Sequence, residues 1–506
     1  MLNHVRLQNE ALIKKIYIES GLPDFFKVLP TTHDKIILAL VQQIMKYDWI
    51  SIGELQQSTE SPAKNLRSDA LAFVMNSGIF AFSIFKYSFV SLLYRLIVGK
   101  YSRDIEVEND LRYVFINSAG GIDRLASIIQ DDFNENQYIM LYLFTSFPRK
   151  IFERLKRKPN INFISPRRPH KKAVHRCLVF LFKNGHDFTL RLLRSFYHYP
   201  LSTRLQIVTA IIQYIYALLI YHPWAEENAS KMAMAYPNVL FIFDLDEAGK
   251  ELMIADCLNQ IGGKTLLIQH GALTDARRYL PTCSSMACTS ERGRQALISE
   301  GVDSKKLFVT GQALQTIKDS TLYKQTNNPS YPILILAGAG PTWRQRLYIN
   351  MLKRSDYLKN CQQAFMRIHP AMDAKNKKIW LFDENITPTG AEESLGECIS
   401  YSQIVITFSI DSLIVAVRQQ HPSIVCIPES FFVPTWHNFL ANIPMVRVAK
   451  TSPMLNAILA DKNFTNSRRH DFSESQWNYV DFVFGELKTK TNLTKLMRKL
   501  SAEIEK

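Results

Sequence analysis

The sequence predicts an α/β chain in which two parallel-sheet halves follow one another, behind an N-terminal region that is mainly helical. Two observations lead there. From Val174 onward, short apolar runs alternate with helix-length segments, and the runs end in glycine, serine, histidine or acid. A polar break, Lys324-Gln-Thr-Asn-Asn-Pro-Ser330, interrupts the series once, after which the same order restarts. Strands separated by helices imply right-handed crossovers and a parallel, doubly wound sheet. With 506 residues the chain has length for two or three domains, and 47% hydrophobic content excludes a disordered or collagen-like polymer.

The elements follow in chain order. Residues 1–165 read as mainly helical and carry no motif; Ile36–Val41 and Leu92–Ile97 suit buried helix faces. Proline and basic residues from Pro159 to Pro169 mark a boundary. In the first half, residues 166–325, Cys177–Phe182 reads as a strand, Lys183-Asn-Gly-His-Asp187 as a glycine turn and Phe188–Arg194 as a helix. Val239–Phe243 is the next strand, followed by Asp244-Leu-Asp-Glu247 and a helix that Gly262-Gly263 ends. Thr265–Ile268, Met286–Thr289 and Leu307–Thr310 complete this half, with Ser290 capping a helix that Gly301 terminates. In the second half, residues 326–506 with closing helices, the strands are Ile333–Leu336, Ala364–Ile368, Ile404–Thr407 and Ser423–Ile427. The two halves are Rossmann-like.

Charge and cysteines narrow the setting. Lys and Arg number 61 against 46 Asp and Glu, a formal charge of +15. Arg149–Arg176 holds eleven basic residues against Glu153 alone, so this segment carries +10 of it. No helix-turn-helix, zinc-finger or RNA-binding signature accompanies it, which argues against nucleic acid; such segments also bind anionic lipid headgroups. The seven cysteines include several inside apolar runs and read as buried small hydrophobes in a reducing, cytosolic compartment. Ala70–Phe85 and Leu205–Tyr221 are uncharged but at or below spanning length, and read as buried or interfacial helices.

In open parallel sheets, ligands bind beyond the carboxyl ends of the strands. The second half offers Gly338 and Gly340, His369-Pro370, and Ser409 with Ser412 at three such ends. A glycine turn lets backbone N–H groups approach a phosphate, and a helix beginning at Ser412 would add donors and the positive end of its dipole. A histidine there can hydrogen-bond a phosphate or protonate a leaving oxygen. The first half offers His270, Asp246 and Glu247, with Asp275 close by, as groups able to deprotonate an acceptor hydroxyl. No Gly-x-x-x-x-Gly-Lys-Ser/Thr loop occurs, which argues against a P-loop NTPase. Asp244-Leu-Asp246 has the spacing of a metal-binding pair, but the strand-end groups favour a scheme without metal.

Gln269-His-Gly271, Thr289-Ser-Glu291, Gly301-Val302, Val309-Thr-Gly311, Arg367-Ile-His-Pro370 and Ser409-Ile-Asp-Ser412 resemble motifs of the GT-B glycosyltransferases that build bacterial surface polysaccharides. The pattern is similar to capsule polymerases, to sialyl- and Kdo-transferases with a His-Pro motif, and to the CDP-glycerol glycerophosphotransferases of teichoic acid synthesis. The resemblance covers roughly the C-terminal 270 residues and none of the first 165. It implies that His369, Pro370 and the following serines hold the donor's phosphate and nucleotide, and that His270 is the base. Phe-Ser-Ile-Asp-Ser412 stands where paired serines are commoner, and the acidic-pair-glycine motif of sialyltransferases is missing.

The implied activity is transfer of a sugar from a CMP-, CDP- or UDP-linked donor to a capsule, lipopolysaccharide or related glycan acceptor, lipid-linked or free. The donor is a substrate, and no resident cofactor is expected. The expected location is the inner face of the cytoplasmic membrane, reached through residues 149–176. A CDP-polyol phosphotransferase, a nucleotide-sugar epimerase or hydrolase, and a non-catalytic scaffold are the alternatives.

Overall fold

A computed structural model describes residues 2–26, 30–51, 72–86, 88, 111–117, 132–134, 137–143, 161–164, 171–196, 201–243, 250–269, 280–311, 331–338, 342–361, 363–369, 372, 379–380, 385–389, 393–427, 439–465, 472–486 and 489–504. Among the described residues two wholly parallel sheets, of seven and six strands, stand in tandem, as the alternation of apolar runs predicts. The first has seven strands: β1 (Tyr113–Asn117), β2 (Tyr138–Leu143), β3 (Ile161–Ile164), β4 (Leu240–Phe243), β5 (Lys264–Ile268), β6 (Ser285–Cys288) and β7 (Leu307–Val309), in the order 3-2-1-4-5-6-7. The second has six: β8 (Tyr331–Leu336), β9 (Ala364–Arg367), β10 (Ile386–Pro388), β11 (Ser402–Thr407), β12 (Ser423–Cys426) and β13 (Val446–Ala449), in the order 10-9-8-11-12-13.

Three of the first sheet's strands come from residues expected to be helical. Tyr113-Val-Phe-Ile and Tyr138-Ile-Met-Leu are aromatic and β-branched runs of strand length, and β1 pairs in register with β4. The first sheet therefore reaches back across the expected boundary at 165. The helices Leu2–Glu19, Pro30–Ser51 and Leu201–Ala235 form a layer against it rather than a separate body. Alternation along β1 sorts its two faces: Val114 and Ile116 join the core with these helices, whereas Tyr113 and Phe115 face the other way.

That second face is covered by the last helix of the chain. Thr489–Ile504 leaves the second half and returns to the first sheet, burying Leu493, Leu496, Met497 and Leu500 against β1, β4 and β5. Each such side chain contributes roughly 1.5–3 kcal/mol when fully buried. The closing helices expected to belong to residues 326–506 thus serve both halves.

Cys177–Phe182 is helix, not strand. Lys171–Val179 is an α-helix that widens into a π-helix over Phe180–Gly185 and continues as His186–Ser195. Ala173, Cys177, Phe180, Leu181 and Phe188 are buried at helical spacing, while Leu178 and Phe182 are exposed apolar residues that hide this period in the sequence. Gly185 makes no turn. A Cβ there would lie 2.4 Å from Asn76 Nδ2 and 2.9 Å from the Phe180 carbonyl oxygen, so the glycine marks a helix crossing.

Leu201–Ala235 contains the apolar Leu205–Tyr221 run, whose isoleucines and leucines beyond Leu205 are buried inside the protein. Ala72–Lys86 is a shorter apolar helix held by Tyr216 donating to Asn76 Oδ1 at 2.7 Å, with Phe73, Val74, Phe82 and Phe85 exposed. All seven cysteines are free thiols, and all but Cys361 are buried. Burial pushes Cys177, Cys257 and Cys288 up to about 12, which keeps them unreactive near neutral pH.

Candidate functional site

The second sheet brings three of the expected residues level. β8 lies between β9 and β11, with Leu336 paired to Arg367 on one side and to Thr407 on the other. Gly338, His369 and Ser409 each stand two residues beyond that row. Sequence separations of 31 and 40 residues are thereby collapsed onto adjacent strand ends.

Each end has its own local cause. Ala337 N–H donates to the Arg367 carbonyl at 3.1 Å, carrying the ladder one residue past β8, just before Gly338. His369 is half-buried, and its carbonyl accepts from Met372 N–H at 3.0 Å. At the end of β11, buried Thr407 pins the corner: its hydroxyl donates to the Ser409 carbonyl and accepts from Ser409 N–H, both at 3.1 Å.

The helix after β11 begins earlier than the sequence suggests. It spans Ile410–Arg418 with Ser409 as its N-cap, so Ser412 lies inside the first turn rather than at its start. Ser409 has extended backbone angles, but its hydroxyl makes no capping bond. The helix N-terminus and its dipole therefore face the same row as Gly338 and His369, with a half-exposed hydroxyl beside them. This combination of backbone donors, a hydroxyl and an imidazole is suited to an anionic oxygen. Gly340 and Pro370 lie outside the described residues.

In the first half His270, Asp246, Glu247 and Asp275 also lie outside the described residues, and so does Asp244. Gln269, the residue before His270, is described, and the fold itself uses it. Gln269 is fully buried: its Nε2 donates to Thr289 Oγ1 at 3.0 Å and its Oε1 accepts from Thr289 N–H at 3.1 Å, clamping the end of β5 to the end of β6. Ser290 caps its helix by accepting from Gly293 N–H at 3.1 Å.

Thr289 and Gly311 also meet the returning chain. Gly485 has φ +89°, and a Cβ there would lie 1.8 Å from the Thr289 carbonyl oxygen and 3.2 Å from Gly311 Cα. The Gly485 carbonyl accepts from Arg418, which pairs with Asp481 at 2.6 Å and lies 5.7 Å from the Trp477 ring centroid. Arg292, 4.2 Å from the Phe439 ring centroid, is buried there too, and burial lowers its guanidinium to about 10. These motif residues hold the crossing between the halves.

Two side chains behind the second-half row, Gln345 and Trp380, carry no sequence signal, because their partners are remote along the chain. Among the described residues no group of three or more His, Cys, Asp or Glu is placed to hold a metal ion.

No family model and no curated protein matches the chain. Among solved structures, UDP-GlcNAc 2-epimerase from Methanocaldococcus jannaschii is 12% identical with a TM-score of 0.42, matching 77% of this chain and 99% of that one. The lipopolysaccharide outer core galactosyltransferase WaaB is 9% identical with a TM-score of 0.41, matching 77% and 100%. Anabaena HepE, solved with UDP-glucose, is 11% identical with a TM-score of 0.42, matching 78% and 100%. The functional reading rests on this chain's own strand ends.

Proposed function

We propose that the chain is a glycosyltransferase that moves a sugar from a nucleotide-activated donor to a surface-glycan acceptor. The observation that carries this reading is the level row of Gly338, His369 and Ser409 at the N-terminus of helix Ile410–Arg418. Such a row offers donors to a phosphate across three adjacent strand ends. Gly340, Pro370 and Ser412 complete the donor side. On the acceptor side His270, or Asp246 or Glu247 in its place, takes the proton of the acceptor hydroxyl. That oxygen bonds to the anomeric carbon as the bond from carbon to the phosphate oxygen breaks, and the nucleotide leaves with the electron pair. Fixed donors facing the departing phosphate do most to lower the barrier in such a scheme, which requires no metal.

Work at an anionic membrane surface belongs to the same proposal. Its supports are the +10 charge of Arg149–Arg176 and the exposed apolar face of Ala72–Lys86. Residues 149–160 and 165–170 of the basic segment lie outside the described residues.

The test is nucleotide binding by the full chain. CMP, CDP and UDP are compared for their thermal shift of the wild type, of His369→Ala and of His270→Ala. One nucleotide should stabilise the wild type and His270→Ala but not His369→Ala, and turnover should fall in both variants. No shift with any nucleotide sinks the reading. Conversion of a nucleotide sugar in the absence of acceptor would make the protein an epimerase or hydrolase instead.

A further inference from the structure

We propose that Gln345 is a positioning residue that, through Trp380, ties the ends of β8 and β11 into one unit, setting the geometry on which donor binding depends. Its catalytic meaning rests on the nucleotide-donor reading above; the coupling itself does not. Gln345 is fully buried on helix Thr342–Lys353. Its Nε2 donates to the Gly338 carbonyl at 2.7 Å, and its Oε1 accepts from Trp380 Nε1–H at 2.6 Å. One amide thus joins Gly338, at the end of β8, to Trp380, which lies between β9 and β10 in the chain.

The circuit closes through aromatic rings. Trp380, itself fully buried, lies edge-on to Phe408 with centroids 5.7 Å apart. Phe408 directly precedes Ser409 and stacks at 4.4 Å on Tyr348, which is three residues on from Gln345 along the same helix. The Phe408 carbonyl oxygen lies 3.7 Å from the position a Cβ on Gly338 would take, which returns the circuit to its start. Gly338, Gln345, Trp380 and Phe408 therefore fix one another, and Ser409 is covalently attached to the last of them.

Packing does not account for the amide. Its partner Trp380 belongs with Tyr348 and Phe408 to one apolar cluster, where a polar group is costly unless both ends are bonded. What an amide adds is direction: it orients one carbonyl and one indole at fixed distance. Groups behind a binding row act by holding it within about half an ångström of its working geometry.

The experiment compares Gln345→Leu and Trp380→Phe with Tyr331→Phe. Tyr331 begins the strand that Gly338 follows, and its hydroxyl donates to Glu393 at 2.7 Å, so its loss weakens the same half at the opposite end. Amide hydrogen exchange is read at Gly338 and Ser409, together with nucleotide affinity and donor KM. Gln345→Leu and Trp380→Phe should speed exchange at both positions and raise Kd and donor KM about tenfold, leaving acceptor KM unchanged. Tyr331→Phe should move none of these. Faster exchange at Gly338 without Ser409 overturns the coupling. Faster exchange at both with wild-type affinity overturns the positioning role. If the wild type binds none of CMP, CDP and UDP, the donor reading falls, while exchange still decides whether the circuit exists.

Discussion

The two halves place polar residues at corresponding strand ends and use them differently. In the first, Gln269 and Thr289 saturate each other, Ser290 caps a helix, and Gly311 packs against the returning chain. In the second, the Ser409 hydroxyl caps nothing, and at Gly338, two residues past β8, a side chain would meet only ordinary contacts. A polar residue after a strand is therefore a ligand-facing candidate only when the fold has left its hydrogen-bonding capacity open. By that measure Gln269, Thr289, Ser290 and Gly311 are scaffolding, and Ser409 is the ligand-facing candidate.

The largest way to break this comparison is Gly485→Ala. The new methyl would lie 1.8 Å from the Thr289 carbonyl oxygen at a φ of +89°, so both backbone strain and overpacking apply. Together these cost roughly 2–5 kcal/mol, read as a lowered urea midpoint. Gly262→Ala is the matched control: its φ is +85° but nothing lies within 4 Å, so strain alone remains, about 1–2 kcal/mol. Equal losses in the two variants would mean that the contact with Thr289 does not hold the halves.

Gln269→Leu comes next. It strips the buried Thr289 N–H of its acceptor and should cost roughly 1–3 kcal/mol. Ser290→Ala removes a formed cap at about 1 kcal/mol. Ser409→Ala removes a hydroxyl that caps nothing, so its stability should stay within about 0.5 kcal/mol of wild type while nucleotide binding weakens. If Ser409→Ala destabilised the protein as much as Ser290→Ala, the contrast between the halves would collapse.

The sequence carries the row better than it carries the scaffold around it. β4 to β9, β11 and β12 are short apolar runs bounded by polar or glycine residues, which is why His369 and Ser409 could be placed at strand ends. Cys177–Phe182 misleads because Leu178 and Phe182 are apolar yet exposed, which erases the helical period. Gly185 is indistinguishable from a turn glycine until Asn76, more than 100 residues earlier, is seen against it. β1 and β2 are legible as runs, but only pairing with β4 makes them part of the first sheet. The Gln345 bonds span 7 and 35 residues, and no local pattern encodes them.

The smallest effect makes the sharpest test of the row. Gly338 is not among the glycines with positive φ, and a Cβ there would meet the Phe408 backbone and Cβ at 3.7–3.8 Å, ordinary contact distances. Gly338→Ala should therefore stabilise the protein by about 0.4–1 kcal/mol, because the unfolded chain loses freedom and the folded chain gains no clash. On the proposed donor reading the same methyl would stand beside backbone that meets a phosphate, where close approach is what glycine allows. Melting temperature should rise slightly while the nucleotide-induced shift shrinks. A variant that is both more stable and an undiminished binder would show that Gly338 supports the end of β8 without contributing its openness to the site.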